Sequence, residues 1–248
     1  MIPIRDHNPS GRVPYVTYAL MAANIGIFLA YWPLFNDPRA LNAFFMDWAM
    51  VPVLVTREGT YFNMLSSMFM HGGIMHLAGN MLFLWIFGDN MEEEMGHLGY
   101  LLFYLACGIG AALAHVLAAP YSSVPTVGAS GAIAGVMGGY LLLFPKARVD
   151  ILVIFVFFIQ IITIPAWIML ALWFTFQLFG GAGMDAAQGG VAYWAHAGGF
   201  VVGAALTLPL LLRHGGARFW RRTHGHPPHP DADYRYVRTK VPRVRKRQ

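Results

Sequence analysis

Charged residues and cysteine are both scarce in this chain. Asp, Glu, Lys and Arg make up only 12% of its 248 residues, whereas hydrophobic residues make up 57% and the mean hydropathy is +0.51. Soluble domains carry about 25% charged residues, so this composition excludes an ordinary soluble domain. The single cysteine, Cys107, excludes an intrachain disulfide. The composition therefore predicts an integral membrane protein.

Positive charge is missing from the middle of the sequence. No Lys or Arg occurs between Gly59 and Pro145, while the segment 213–248 holds eleven of them against two Asp. The net charge of +5 therefore belongs to a basic tail, and it does not indicate a protein that binds nucleic acid.

Apolar stretches of spanning length predict an all-α polytopic membrane protein with six transmembrane helices. The run from Ile151 to Phe179 is too long for one straight helix, so we expect Pro165 to divide it and residues 151–164 to form an interfacial or re-entrant piece. We expect a cytoplasmic N-terminal arm at 1–14, a six-helix membrane domain at 15–212 and a disordered basic tail at 213–248. The predicted spans are 15–36, 74–91, 97–118, 128–144, 165–180 and 194–212.

The positions of Lys and Arg orient these spans. With six spans, the basic residues of the arm, of the loop at Lys146 and Arg148, and of the tail all fall on one side. The positive-inside rule assigns that side to the cytoplasm. We therefore expect a multi-pass protein, of a bacterial cytoplasmic membrane, with both termini inside and the second, fourth and sixth spans running inward from the outer face.

Two polar residues open apolar spans. Ser130 lies in Gly128-Ala-Ser-Gly131, and His196 lies in Ala195-His-Ala-Gly-Gly199. A hydroxyl and an imidazole at membrane depth are costly unless they find partners, and such residues are functional candidates. Because serine becomes a nucleophile when a neighbouring base removes its proton, the two residues predict a nucleophile and its base.

Glycines follow both polar residues at helical spacing. Stripes of small residues four positions apart let two helix backbones approach closely. If the fourth and sixth spans pack along these stripes, Ser130 and His196 come within hydrogen-bonding reach. The glycines are Gly131, Gly135 and Gly139 in the fourth span, and Gly199 and Gly203 in the sixth.

The second span carries a further polar pair. His76 and Asn80 are four residues apart, so they share one helix face. With the backbone N–H of Ser130 they could form an oxyanion hole, or they could merely tie this span to a neighbour. His71 is a weaker candidate for shaping the same recess.

These motifs, in this order, resemble those of the rhomboid intramembrane serine proteases over roughly residues 66–206. The resemblance implies Ser130 as nucleophile, His196 as general base, and His76 and Asn80 as oxyanion donors. It also implies that Glu92 is a structural carboxylate. The matching motifs are His71-x4-His76-x3-Asn80, Gly128-Ala-Ser130-Gly131 and Ala195-His196-x2-Gly199-x3-Gly203.

The resemblance further implies a rhomboid-like helical bundle and a Ser-His dyad without an acidic third member. Its substrates would be transmembrane segments of other membrane proteins, cleaved near the outer face, with the lipid bilayer as surroundings. It implies no metal, no cofactor and no nucleic-acid partner, and it leaves the oligomeric state open.

The chain departs from some rhomboids at two places. Ala134 stands where some members carry an aromatic residue that stacks on the histidine, so what orients His196 is open. Trp48 and Arg57 stand apart, whereas some members have a Trp-Arg pair in the first outer loop.

Two other functions compete with proteolysis. One is a non-catalytic rhomboid-like protein that binds transmembrane helices, and the presence of both Ser130 and His196 argues against it. The other is a metal-dependent enzyme or transporter that uses His71, His76 and His196. The sequence has no His-Glu-x-x-His motif, and a metal site would leave the serine unexplained.

Overall fold

The structure, a computed structural model, describes residues 2–155, 158–183, 191–228 and 232, and these are mostly helical. The helices are α1 (Tyr15–Tyr31), α2 (Pro38–Trp48), α3 (Pro52–Glu58), α4 (Asn63–Ser66), α5 (Ile74–Met95), α6 (His97–Ala118), α7 (Ser130–Leu143), α8 (Ala166–Gly183), α9 (Tyr193–Arg213) and α10 (Ala217–Thr223). Short 3₁₀ turns occupy Trp32–Asn36 and Ser67–Phe69. The described residues also form three strands: β1 (Ile2–Asp6), β2 (Arg148–Phe155) and β3 (Phe158–Pro165).

A helix occurs at each of the six predicted spans. Four of these segments, α1 with its 3₁₀ turn, α6, α8 and α9, are long and apolar enough to cross a membrane. The chain is therefore a multi-pass membrane protein. The other two segments differ, since α5 ends in the acidic residues Glu92–Glu94 and α7 has only 14 residues, about 21 Å of helix. The count of six spans stays a prediction.

A three-stranded antiparallel sheet corrects the expectation of an all-α chain. β2 pairs with β1 on one side and with β3 on the other, with Asp150 opposite Thr163 and Val153 opposite Gln160. Val and Ile are stiff at their branched Cβ and favour strands. Periodicity alone cannot separate a short apolar strand from a buried helical segment, which is why this hairpin was not expected. Pro165 divides the apolar run as predicted, because α8 begins at Ala166.

Buried polar contacts attach the sheet to the helices. The Asp6 carboxylate accepts hydrogen bonds from Asn90 Nδ2 and the Tyr140 hydroxyl, each at 3.0 Å. Within the sheet, Arg5 Nε donates to Asp150 Oδ2 at 2.7 Å. β1 is thereby joined to α5 and α7, so the N-terminal arm is part of the folded structure.

Glu92 caps the beginning of α1. Its carboxylate accepts the backbone N–H groups of Val16 and Thr17 at 2.8 and 2.7 Å, and the Thr17 hydroxyl at 2.7 Å. The first amides of a helix lack partners within that helix, and a carboxylate there stabilises them. His97 Nδ1 lies 2.6 Å from the same carboxylate. Glu92 therefore has the contacts of a structural carboxylate.

α7 lies at the centre of the helical bundle and contacts α9 backbone to backbone. A Cβ atom at Gly199 would overlap the carbonyl oxygen of Gly131, and one at Gly203 would overlap that of Gly135. On another face of α7, Cys107 of α6 packs against Gly135. The two helices approach along the glycine stripes, as their spacing predicts, and this approach positions the residues at their N-terminal ends.

The beginning of the predicted tail is folded. α10 buries Phe219, which is 1% exposed and has its ring 6.3 Å from that of Phe144. The expectation of disorder from residue 213 onward is therefore wrong for residues 217–223, because an aromatic anchor fixes them to the bundle. Residues 229–231 and 233–248 of the predicted tail lie outside the described residues.

Candidate active site

A recess of about 500 Å³ opens at the N-terminal ends of α5, α7 and α9, beside α8. Its walls combine apolar side chains with a small set of polar groups, which is the usual composition of a binding site. The polar side chains lining it are His76, Asn80, His115, Thr126, Ser130 and His196.

Ser130 is the first residue of α7, and a glycine makes room beside it. Gly128 has φ +131°, a conformation that L side chains rarely adopt. A Cβ atom there would lie 2.8 Å from His76 Nε2 and 3.4 Å from Ser130 Oγ. The absence of a side chain at Gly128 therefore leaves room for the His76 ring of α5 beside the backbone that leads into Ser130.

Ser130 and His196 are in direct contact. The distance from Ser130 Oγ to His196 Nε2 is 2.7 Å, although the residues are 66 positions apart. The contact follows from the crossing of α7 and α9, because the Gly131–Gly199 approach lies next to both residues. A hydroxyl hydrogen-bonded to an imidazole is the arrangement in which a base can take the hydroxyl proton.

The second nitrogen of His196 contacts a residue that sequence reasoning missed. His196 Nδ1 lies 2.8 Å from Gln177 Oε1 on α8. The Trp173 ring, also on α8, lies 5.8 Å from the imidazole, centroid to centroid, with 35° between the planes. The only sign of Gln177 in the sequence is that it is an amide residue within an apolar span. Ala134 provides no ring, and the aromatic neighbour of His196 comes from α8 instead.

His76 and Asn80 present donors to the recess from α5. The Gly72 backbone N–H donates to His76 Nδ1 at 3.3 Å, so in the neutral ring the hydrogen is on Nε2, toward Gly128 and Ser130. Asn80 Nδ2 is buried and has no hydrogen-bond partner among the described residues. A buried amide without a partner is costly, so a donor kept in this state is available to a ligand.

His71 does not line the recess. It is fully buried, and its backbone N–H and C=O both bond to the Tyr31 hydroxyl, at 2.7 and 2.8 Å. Its ring meets the His76 ring edge to face, with centroids 5.1 Å apart. Its position is therefore behind His76, which it supports, rather than at the recess itself.

Two further observations concern the surroundings of the recess. His115 lines it and has Nε2 3.2 Å from Thr126 Oγ1, a contact that the sequence did not predict. Across residues 2–155, 158–183 and 191–228, the structure holds no group of three or more His, Cys, Asp or Glu side chains arranged to bind a metal ion.

The helices and the recess together define a class of protein: a multi-pass membrane protein with a paired serine and histidine at the N-terminal ends of two helices. Residues 58–213 match the family model of the rhomboid domain. This match covers more than half of the chain and contains every residue of the recess named above. The chain belongs to the rhomboid family.

Curated relatives come from several kinds of organism. Rhomboid protein 1, mitochondrial, of Saccharomyces cerevisiae is 29% identical over 194 residues, which cover 76% of this chain and 51% of that protein. RHOMBOID-like protein 4 of Arabidopsis thaliana is 35% identical over 167 residues, 67% of this chain and 38% of that protein. Rhomboid protease GluP of Bacillus subtilis is 42% identical over 84 residues, 34% of this chain and 16% of that protein. The chain thus spans about half or less of each relative.

Proposed function

We propose that this protein is an intramembrane serine endopeptidase that cleaves transmembrane segments of other membrane proteins near the outer face, with Ser130 and His196 as a catalytic dyad. The observation that carries the proposal is the 2.7 Å contact between Ser130 Oγ and His196 Nε2 inside a recess. Membership of a family in which a relative is named a protease supports it.

In the proposed reaction, His196 Nε2 takes the proton of Ser130 as Oγ attacks the scissile carbonyl carbon. The resulting tetrahedral intermediate carries an oxyanion. His196 then gives the proton to the leaving amine, which departs and leaves an acyl-enzyme. Water, deprotonated by His196, hydrolyses the ester and restores the serine hydroxyl.

The oxyanion needs fixed donors, because charge develops there in the transition state. Three are proposed: His76 Nε2–H, Asn80 Nδ2 and the Ser130 backbone N–H. The first lies toward Gly128 and Ser130, and the second has no partner in the described part of the chain. The backbone N–H is at the beginning of α7, where helix amides have no partners of their own.

Substrate segments are expected to be helices that unwind readily. A helical carbonyl is hydrogen-bonded within its own helix, so it has to be released before Ser130 can attack it. Segments with glycine or other helix-breaking residues release it at lower cost. The proposed setting is a bacterial cytoplasmic membrane with both termini inside, and the positions of Lys and Arg favour this orientation of the termini.

The competing function is that of a non-catalytic rhomboid-like protein that only binds transmembrane helices. A binding role does not require a serine hydroxyl within 2.7 Å of an imidazole, so this contact favours the protease.

The test is covalent labelling of the purified protein in liposomes with a fluorophosphonate probe, together with cleavage of a model transmembrane substrate. The wild-type protein should be labelled at Ser130 and should cleave with or without a chelator. Ser130→Ala should be neither labelled nor able to cleave the substrate. Ser123→Ala, which changes an exposed loop serine, should be labelled and should cleave like the wild type. Wild-type protein without labelling or cleavage would refute the protease, and loss of cleavage with the chelator would favour a metal enzyme.

A further inference from the structure

α8 buries one amide side chain in a helix that is otherwise apolar except for the exposed Thr175. Gln177 is 8% exposed, and nearby positions of the helix such as Phe176 and Leu178 lie on the surface. An amide buried in a membrane helix is costly unless it is hydrogen-bonded. Its two ends have separate partners, the Trp173 backbone and the His196 ring.

The backbone contact determines which end of the amide faces the histidine. Gln177 Nε2 donates to the Trp173 carbonyl oxygen at 3.3 Å, one helical turn earlier. The carbonyl oxygen Oε1 is thereby turned toward His196 Nδ1, at 2.8 Å. The reverse orientation would bring the amide N–H₂ to the ring and leave two acceptors facing each other at the Trp173 carbonyl.

The amide oxygen in turn determines the proton position on the imidazole. A carbonyl oxygen can only accept, so His196 Nδ1 has to carry the ring hydrogen. In the neutral ring, Nε2 is then an acceptor, and it lies 2.7 Å from the Ser130 hydroxyl. Which nitrogen of a histidine carries the proton is set by the hydrogen bond that the other nitrogen makes.

We propose that Gln177 is a positioning residue for His196: its side-chain oxygen holds the ring in the Nδ1–H tautomer, with Nε2 aimed at Ser130. This proposal rests on the proposed function, since it assigns to Gln177 the role that an acidic residue has in a serine triad. The amide carries no charge, so it orients the ring and supports the imidazolium only as a dipole. Because Gln177 belongs to α8, the ring orientation depends on how α8 is seated against α9.

The kinetic test compares two substitutions at this position. Gln177→Met removes the hydrogen-bond acceptor with little change in side-chain length. It should lower kcat on the order of 10- to 100-fold, which is the size of the effect at metal sites when a histidine ligand loses the group that orients its ring. KM should change little, because ground-state binding does not use this bond. Gln177→Glu keeps an oxygen acceptor and should recover most of the loss. Gln160→Met, the same change at an exposed position of β3, is the control and should behave as wild type.

The spectroscopic test does not depend on activity. In a Ser130→Ala background, the ¹⁵N signals of the His196 ring should report hydrogen on Nδ1 when Gln177 is present, and a shift toward the other tautomer in Gln177→Met. Unchanged ring signals, wild-type kcat for Gln177→Met, or equal losses for Met and Glu would each overturn the proposal. If the wild-type protein proves inactive, the protease proposal fails while the ring signals still decide whether Gln177 orients His196.

Discussion

α9 contacts α7 and α8 in different ways. Against α7 the contact is between backbones, since Gly199 and Gly203 face the carbonyl oxygens of Gly131 and Gly135 with no room for a Cβ atom. Because no side chain separates the two backbones there, the contact holds α7 and α9 close together. The distance between Ser130 and His196 is therefore set by the glycines.

Against α8 the contact is between side chains, and apart from the Gln177–His196 hydrogen bond most of them are aromatic. The Phe174 ring stacks on the Phe200 ring at 4.7 Å, and the Trp173 ring lies 6.1 Å from it. Near the end of α8, a Cβ atom at Gly181 would lie 3.0 Å from the Trp194 ring, a neighbour that has rotamers of its own. Side chains can rearrange where backbones cannot, so α8 is the helix that we expect to move when a substrate reaches the recess.

The largest expected effect concerns the two side chains that meet at the α7–α9 contact. Ser130→Ala and His196→Ala should each lower cleavage to the background rate, because both act in one proton transfer, and the double variant should be no worse. Single-turnover assays on folded, membrane-inserted protein measure this. Losses that multiply in the double variant would mean that the two residues act separately.

The next effect tests the backbone contact itself. Gly203→Leu should cost about 3 kcal/mol or more of stability and abolish cleavage, because its side chain would overlap the backbone of Gly135 on α7. Thermal unfolding in detergent and the cleavage assay report the two losses. The matched control is Gly26→Leu on α1, where nothing lies within 4 Å of an added Cβ atom. If the two variants unfolded at the same temperature, the close crossing of α7 and α9 would be wrong.

A smaller loss of activity is expected from substitutions on α5, which faces the α7–α9 contact across the recess. His76→Ala and Asn80→Ala should each lower kcat on the order of 10-fold to 10³-fold, since each removes one of several oxyanion donors. KM should change less than kcat. Asn42→Ala, at an exposed position of α2, is the control. An unchanged kcat in both recess variants would assign these residues a packing role.

The smallest effect is expected where the Phe174 ring of α8 stacks on the Phe200 ring of α9, and it has the opposite sign. Phe174→Val removes the stacking on Phe200 and leaves Trp173 in place beside His196. If movement of α8 limits access, losing about 1 kcal/mol of packing should raise the cleavage rate by about fivefold at most, with a lower unfolding temperature. A slower or unchanged rate in this variant would place the access route elsewhere.

Much of the helical scaffold could be predicted because hydropathy and glycine spacing are local properties of the chain. A helix occurs at each predicted span, and the glycine stripes lie where α7 and α9 meet. The sheet was missed because both strands are mostly apolar, and a short apolar run does not distinguish a strand from a buried helical segment. The tail was expected to be disordered, although Phe219 gives its first part an apolar anchor.

For the site, the sequence by itself determined which residues were candidates. A serine and a histidine in apolar segments cost free energy unless they have partners, so they indicate a function. The order of the motifs restricts that function to one family. Only the tertiary structure decided which atoms meet. It brought Ser130 to His196, placed His71 behind His76 and added Gln177 from α8. Hydrogen bonds between helices depend on crossing angle and rotation, and no local pattern in the sequence encodes these.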